Sequence, residues 1–251
     1  MSVKFKNLIN MMIAKKNYWL PLIIMGLLLL FTISCKKDAP QSDITQTSDV
    51  DGNIYHTIPI GNQLWMVENL NTTRYSNGDP IPTVTDNTQW TTSTTGAQCF
   101  YYNSSPGITY GRLYNWYAAN DPRNIAPPGW HVATDDDWTE LESYVAANPD
   151  GSNSSAKILA AGNDWVPSTS AYAVGNNLAI NNVSGFTGLP GGIRSGSDGS
   201  FSGYGQTGAW WTSTEDNTTN GWRRLINYDQ STVDRSSVNK SFGFTVRCVH
   251  D

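Results

Sequence analysis

The sequence predicts an α+β domain of short strands, tight hairpins and a few helices, joined by long polar loops. Three observations carry this. Apolar alternation recurs only in short runs bounded by Gly, Asn or Asp, the pattern of half-buried strands. Apolar spacing of helical period is confined to a few places, notably Leu113, Trp116 and Tyr117, and Trp138, Leu141 and Val145. The composition favours loops and aromatic packing: 22 Gly and 12 Pro in 251 residues, ten Trp, 12% aromatic and only 15% charged side chains. Such a chain can bury a core, so wholesale disorder is excluded.

In chain order, Ile54-Tyr55-His56-Thr57-Ile58 alternates after the turn signal Asp51-Gly52-Asn53. Ile60, the pair Gly61-Asn62 and Leu64-Trp65-Met66-Val67 complete a hairpin. Residues 71–98 are rich in Thr, Asn, Asp and Pro and read mainly as loop. Gln98–Tyr102 is a strand, and Gly111–Asn120 is a short helix stopped by Pro122 and Pro127-Pro128-Gly129. Thr134 followed by Asp135-Asp136-Asp137 begins a second helix, since the Thr oxygen caps orphan amides and the carboxylates face the positive end of the helix dipole. The competing reading is a metal site, but successive helix positions diverge by about 100°, so these carboxylates do not converge on one ion without other donors.

Ala156–Ala161 is a third helix, ended by Gly162. Residues 185–208 are glycine-rich without a following Gly-Lys-Ser/Thr, so they form turns and not a phosphate loop. Trp210–Ser213 is a buried strand. Trp222–Tyr228 and Ser231–Arg235 form a hairpin about Asp229-Gln230. The last strand, Phe242–Val249, puts Phe242, Phe244, Val246 and Cys248 on one face and Thr245, Arg247 and Val249 on the other.

The first 34 residues read as an export signal. Four of the 16 Lys and Arg residues lie there with no acid, leaving 12 basic against 21 acidic residues and a net charge of −9 for the rest. That balance argues against a nucleic-acid partner. The apolar run Trp19–Ile33 reaches about 22 Å as a helix, short of the roughly 30 Å hydrocarbon core. A basic segment before a short apolar one is a secretory signal, with an uncleaved anchor helix as the alternative. The stretch before Tyr18 is long for such a signal, and Met11 or Met12 gives a more usual start. Thr32-Ile33-Ser34-Cys35 resembles a bacterial lipobox, with Thr32 in place of the usual Leu. It implies lipidation at Cys35 and a multi-chain anchor. Residues 35–49 are a polar tether, and Lys36-Lys37-Asp38 resembles surface-export signals of Bacteroidota lipoproteins. An outer-membrane lipoprotein exposed at the cell surface is expected, with a periplasm-facing one as the alternative.

Cys99 and Cys248 remain. An oxidising compartment permits a disulfide between them, and two buried free thiols are the alternative. His56, His131 and His250 lack metal-ligand spacing, so neither a zinc site nor any other metal or cofactor is expected. No Gly-x-Ser-x-Gly elbow is present. The four Glu residues, Glu68, Glu140, Glu142 and Glu215, are too ordinary to claim a glycosidase pair. No catalytic residue is therefore assigned.

Read together, several segments form a family pattern. They include Asp51-Gly52-Asn53-Ile54-Tyr55, Gly61-Asn62-Gln63-Leu64-Trp65-Met66-Val67-Glu68-Asn69-Leu70, Tyr110-Gly111-Arg112-Leu113-Tyr114-Asn115-Trp116 and Pro128-Gly129-Trp130-His131-Val132. Thr134-Asp135, Leu189-Pro190-Gly191-Gly192, Trp210-Trp211-Thr212-Ser213-Thr214-Glu215 and Gly243-Phe244-Thr245-Val246-Arg247-Cys248-Val249 complete it. Residues 50–251 thereby resemble the Fibrobacter succinogenes major paralogous domain family, typically exported lipoproteins of Bacteroidota and Fibrobacterota without an assigned activity. The resemblance implies a C-type lectin-like fold, shared with formylglycine-generating enzymes: two main helices, a long loop region and a short sheet near the C-terminus. The relatives' chemistry does not follow. The lectin calcium tripeptide is missing, and Cys99 and Cys248 do not match the paired copper cysteines.

The expected function is a membrane-anchored, non-catalytic module that binds glycan or surface protein. The alternatives are a glycan-active or modifying enzyme and a purely structural lipoprotein. Trp65, Trp116, Trp130, Trp138, Trp210 and Trp211 fall in regular patterns and are expected in the core. Trp90, Trp165 and Trp222 lie nearer polar loops and are the ligand-binding candidates. Arg223 and Arg224 beside Trp222 offer an anion or partner contact, against a competing reading as solvated surface charge.

Overall fold

Adjacent apolar residues on one strand point to opposite faces, and here that rule builds two cores with strands running between them. Trp65 and Met66, Trp210 and Trp211, and Cys248 and Val249 each divide in this way. Met66, Trp211 and Cys248 join Tyr55, Tyr114, Trp116 and Phe244 in one cluster. Trp65, Trp210 and Val249 join Trp138, Leu141, Phe186 and Ile226 in the other. A third, smaller cluster gathers Trp90, Cys99, Tyr101 and Leu113. A strand buried on both faces reads as a continuous apolar run, which is why Trp210-Trp211 stands out in the sequence.

The computed structural model describes residues 45–104, 109–147 and 154–251. The signal segment 1–34, Cys35 and the tether up to residue 44 lie outside the described residues. The first half contributes β1 (Gln46–Ser48), β2 (Ile54–Ile60), β3 (Gln63–Met66), α1 (Asn87–Thr92), β4 (Gln98–Cys99), β5 (Leu113–Tyr114), α2 (Trp116–Ala119) and β6 (Trp130–Val132). The helices α3 (Asp135–Ala147) and α4 (Ser155–Leu159) follow. The C-terminal part adds β7 (Gly191–Arg194), β8 (Phe201–Tyr204), β9 (Thr207–Glu215), β10 (Asn220–Asn227), β11 (Asp234–Asn239), β12 (Thr245–Val246) and β13 (Cys248–His250). The result is a mixed α+β fold dominated by strands.

Two sheets organise it. One has the order β1-β2-β3-β13-β6 and the other β11-β10-β9-β12, with the two-stranded pairs β4-β5 and β7-β8 beside them. The predicted last strand joins the two larger sheets. Its first part pairs in parallel with β9. Its second part pairs antiparallel with β3 and β6. Arg247 lies at the break, fully buried, donating to Met66 O at 2.8 Å, Phe186 O at 2.7 Å and Asn69 Oδ1 at 2.9 Å. Burial lowers its pKa to about 9.

Helix α3 starts where the sequence places it. The Thr134 hydroxyl accepts from Asp137 N at 3.1 Å, and Asp137 Oδ2 accepts from Thr134 N at 2.8 Å, a reciprocal capping box. The three aspartates diverge: Asp135 faces Arg224 and Arg235, Asp137 turns back to Thr134 and His131, and Asp136 is exposed. Among the described residues no group of His, Cys, Asp and Glu is arranged to hold a metal.

Several elements differ from expectation. The helix predicted over 111–120 shrinks to α2, because Gly111 takes φ +79° and Leu113-Tyr114 pairs with Gln98-Cys99. The strand predicted over 98–102 stops at Cys99, because Tyr102 and Asn103 adopt left-handed backbone with φ 51° and 52°. A helix, α1, occupies part of the expected loop 71–98, its start capped by Asp86 Oδ1 accepting from Gln89 N at 2.8 Å. The C-terminal hairpin is wider than expected, with Arg224 opposite Arg235 and Leu225 opposite Asp234. Gln46–Ser48, expected within the tether, pairs with β2 as an edge strand.

The Cys99–Cys248 bridge is overturned. Both cysteines are free and buried, in different core clusters. Burial raises the Cys99 thiol to about 11 and pushes Cys248 further up. Each thiol behaves as a small apolar group.

Candidate functional site: an exposed aromatic face

The β7-β8 hairpin, the turn at 101–103 and Tyr110 together form an aromatic surface that carries the exposed rings of Tyr102 and Tyr204. Its base depends on two glycines. A Cβ on Gly192, whose φ is +71°, would lie 2.4 Å from the Tyr101 ring, and one on Gly191 would lie 3.0 Å from Tyr110 Cβ. The Pro190-Gly191-Gly192 segment therefore lets tyrosine rings lie directly on the backbone. Left-handed backbone at Tyr102, costly for a bulky residue, turns its ring outward beside Tyr101.

The rings form a connected array. Tyr101 lies 4.7 Å from Tyr102, 5.4 Å from Phe201 and 5.3 Å from Tyr204, measured between centroids. Tyr102 and Phe201 are 5.4 Å apart, and Tyr110 and Tyr204 are 5.2 Å apart. These are the separations of favourable aromatic pairs. Tyr101 is buried beneath, while Tyr102 is 66% and Tyr204 50% exposed. The Tyr204 hydroxyl donates to the Tyr110 hydroxyl at 3.2 Å. Burial holds the Tyr110 phenol well above its ordinary pKa, reinforced by the hydrogen bond with Tyr204 and by Asp164. The Tyr110 hydroxyl thus stays protonated across the physiological range, so the face sets a neutral hydrogen-bonding group beside apolar rings.

The residues expected to bind ligand lie elsewhere, and most are buried. Trp90 is fully buried, donates from Nε1 to Ser241 O at 2.8 Å and carries the Arg194 guanidinium 4.4 Å above its ring. Trp165 is buried in the α3-side core. Both sit in polar stretches, but those stretches fold back over them. Trp222 is half-buried, with the Arg235 guanidinium stacked 3.7 Å from its ring centre and covering one face. Arg223 is tied to Asp234 at 3.1 Å and is only 14% exposed.

Arg224 corrects the surface-charge reading most clearly. It is fully buried and bridges Asp135 at 2.6 Å and Glu142 at 2.5 Å, pinning α3 to β10. The structure therefore places Trp222, Arg223 and Arg224 on one strand but brings only Trp222 and Arg224 to the same Arg235–Asp135 cluster, turns Arg223 to Asp234, and buries Trp90 and Trp165 elsewhere. The six tryptophans expected in the core are all buried.

The aromatic face escaped sequence reasoning because its members come from three separated segments. The available signal was an aromatic residue beside glycines in Phe201-Ser202-Gly203-Tyr204-Gly205, and the pair Tyr101-Tyr102. Alternation alone assigned the latter to a strand.

Another cluster surrounds His131 on β6. Its Nδ1 lies 2.8 Å from Asp251 Oδ1 and its Nε2 lies 3.0 Å from Asp137 Oδ2. The hydrogen bond to Asp137, helped by that to Asp251, raises the imidazole pKa against the effect of burial. Burial opposes ionisation of Asp137, but hydrogen bonds from His131 and Thr134 prevail and bring it to about 2. This arrangement locks the start of α3 to the chain's end.

Comparison with known proteins gives one assignment. The family model described as the Fibrobacter succinogenes major domain matches residues 58–250. No curated protein and no solved structure matches the chain.

Proposed function

We propose, for a chain that belongs to the Fibrobacter succinogenes major domain family, a non-catalytic binding module that is lipidated at Cys35 and displayed on the outer membrane. Its ligand is a neutral glycan taken by the face of Tyr102, Phe201, Tyr204 and Tyr110. The observation that carries this reading is the ring array itself: two tyrosines at least half exposed, held in place by a buried tyrosine and two glycines. An exposed tyrosine ring face packs against the apolar face of a sugar ring, and the paired phenols bond its hydroxyls. Rigid aromatic rings also lose little entropy on binding.

A C-type lectin-like plan is part of the proposal. The order of α2, α3, the long connection between α4 and β7, and the C-terminal strands supports it. The buried, high-pKa cysteines support the non-catalytic reading, since a thiolate nucleophile needs access and a depressed pKa.

The test is a glycan array probed with the full-length protein in detergent, followed by titration of each hit. Saturable binding that is insensitive to EDTA and lost in Tyr102→Ala and Tyr204→Ala, with folding intact, is expected. Binding unaffected by both substitutions, or no binding to any glycan, refutes the assignment of this face. Turnover of a glycan on the array favours an enzyme instead. Metabolic labelling with a palmitate analogue, lost in Cys35→Ser, tests the anchor.

A further inference from the structure

A second surface, sharing no residue with the aromatic face, has the composition of a small-ligand site. It is a shallow cleft of about 410 Å³ between the β2-β3 turn and α3, lined by Ile60, Gly61, Asn62, Glu140, Ser143 and Tyr144. That volume lies in the range of small-molecule sites.

Its wall is built by a specific close approach. Gly61 takes φ +65°, and a Cβ there would stand 2.9 Å from Tyr144 Cδ2. Only glycine lets the tyrosine ring lie against the turn. The ring remains 43% exposed, which leaves an aromatic surface facing the cleft.

Its polar groups come from both walls. Glu140, Ser143 and Tyr144 share one face of α3 through i, i+3 and i, i+4 spacing. The side chains of Asn62 and Glu140 are exposed and make no hydrogen bond or ion pair with the described residues. Ser143 donates its hydroxyl to Thr139 O at 2.7 Å, so its oxygen faces a ligand as an acceptor. Glu140 carries the sole charge among the described lining residues. Among those residues the cleft combines one carboxylate, one amide and one aromatic ring without a cation.

We propose that this cleft binds an amino sugar with a free ammonium group. Glu140 takes the ammonium, Asn62 and Ser143 take neighbouring hydroxyls, and Tyr144 covers the apolar ring face. A carboxylate beside an aromatic ring selects a cation. The uncharged donor and acceptor groups favour a polyol over a plain alkylamine. Because Glu140 is exposed, the charge contributes a preference and not a tight complex: an exposed ion pair accounts for about fivefold, and salt screens it.

The test is a saturation-transfer difference NMR titration of the full-length protein with glucosamine, N-acetylglucosamine and lysine amide near neutral pH. Glucosamine is expected to bind saturably and about fivefold more tightly than N-acetylglucosamine. The preference should shrink in 1 M salt and vanish in Glu140→Gln, an exposed substitution that leaves folding intact. Tyr144→Phe should retain binding, and Tyr144→Ala, checked by circular dichroism, should lose it. No saturable binding, equal affinity for the acetylated sugar, or an unchanged preference in Glu140→Gln overturns the proposal. Lysine amide binding as tightly as glucosamine would assign the cleft to protein amines and overturn the sugar assignment.

Discussion

The chain uses aromatic side chains in two regions, at similar separations and to different ends. Around Trp210, the rings of Trp138 and Phe186 lie 5.6 and 5.8 Å away, all are buried, and the indole Nε1 donates to Asn69 Oδ1 at 2.8 Å. Around Tyr204, the rings of Tyr101 and Tyr110 lie 5.3 and 5.2 Å away, but Tyr204 is half exposed and its hydroxyl meets another phenol. Ring geometry therefore does not distinguish packing from recognition. What distinguishes them is whether the outer ring faces are already covered within the protein.

The largest effect should come from breaking the buried array. Trp210→Ala removes a fully buried indole and leaves Asn69 short of a donor, costing about 3–5 kcal/mol in denaturant unfolding. Asp135→Ala should be comparable, about 3–5 kcal/mol, because it removes one of the two carboxylates that neutralise the buried Arg224 and leaves Glu142 alone. A loss below 1 kcal/mol in either variant would show that the two-core packing is not what stabilises the domain.

Acid should act next, through the lock on α3. Asp137 has a folded pKa of about 2, below the ordinary carboxylate value. Its contribution, about 2 kcal/mol, is present above pH ~4 and is lost as pH falls through about 2. The raised pKa of His131 has the opposite sign. Its stabilisation is complete below the ordinary histidine value near 6.5 and fades as pH rises through the higher folded value. Denaturation curves across pH should lose the alkaline-side decline in His131→Gln.

The smallest stability effect belongs to the exposed array. Tyr102→Gly relieves left-handed backbone while adding chain entropy to the unfolded state, so stability should change by less than about 1 kcal/mol. Glycan binding should nevertheless disappear. A variant that kept binding, or that unfolded, would erase the contrast between the two arrays. Cys99 and Cys248 offer a related probe: both should resist a thiol reagent in the native protein and react only after denaturation.

How far the sequence reveals these regions depends on the range of the interactions. The capping box at Thr134 and Asp137, the Gly61-Asn62 hairpin and the Trp210-Trp211 strand arise from neighbouring residues, and their spacing shows in one dimension. The family pattern is legible in the same way, as ordered short motifs. Side-chain destinations across the fold are different. Trp90 looked available because its neighbours are polar, yet its ring is sealed by Arg194, which comes from 104 positions away in sequence. Arg223 and Arg224 are adjacent and alike on paper, but strand alternation sends one toward Asp234 and the other into a buried pair with α3.

The sequence by itself determined the α+β character, the start of the long helix, the tryptophan-rich core and the family. Local periodicity, turn chemistry and capping act over a few residues. Tertiary structure decided which aromatics stay exposed, that the two cysteines remain apart, and that the last strand serves two sheets. Those outcomes depend on which distant surfaces meet, and spacing along the chain does not encode that.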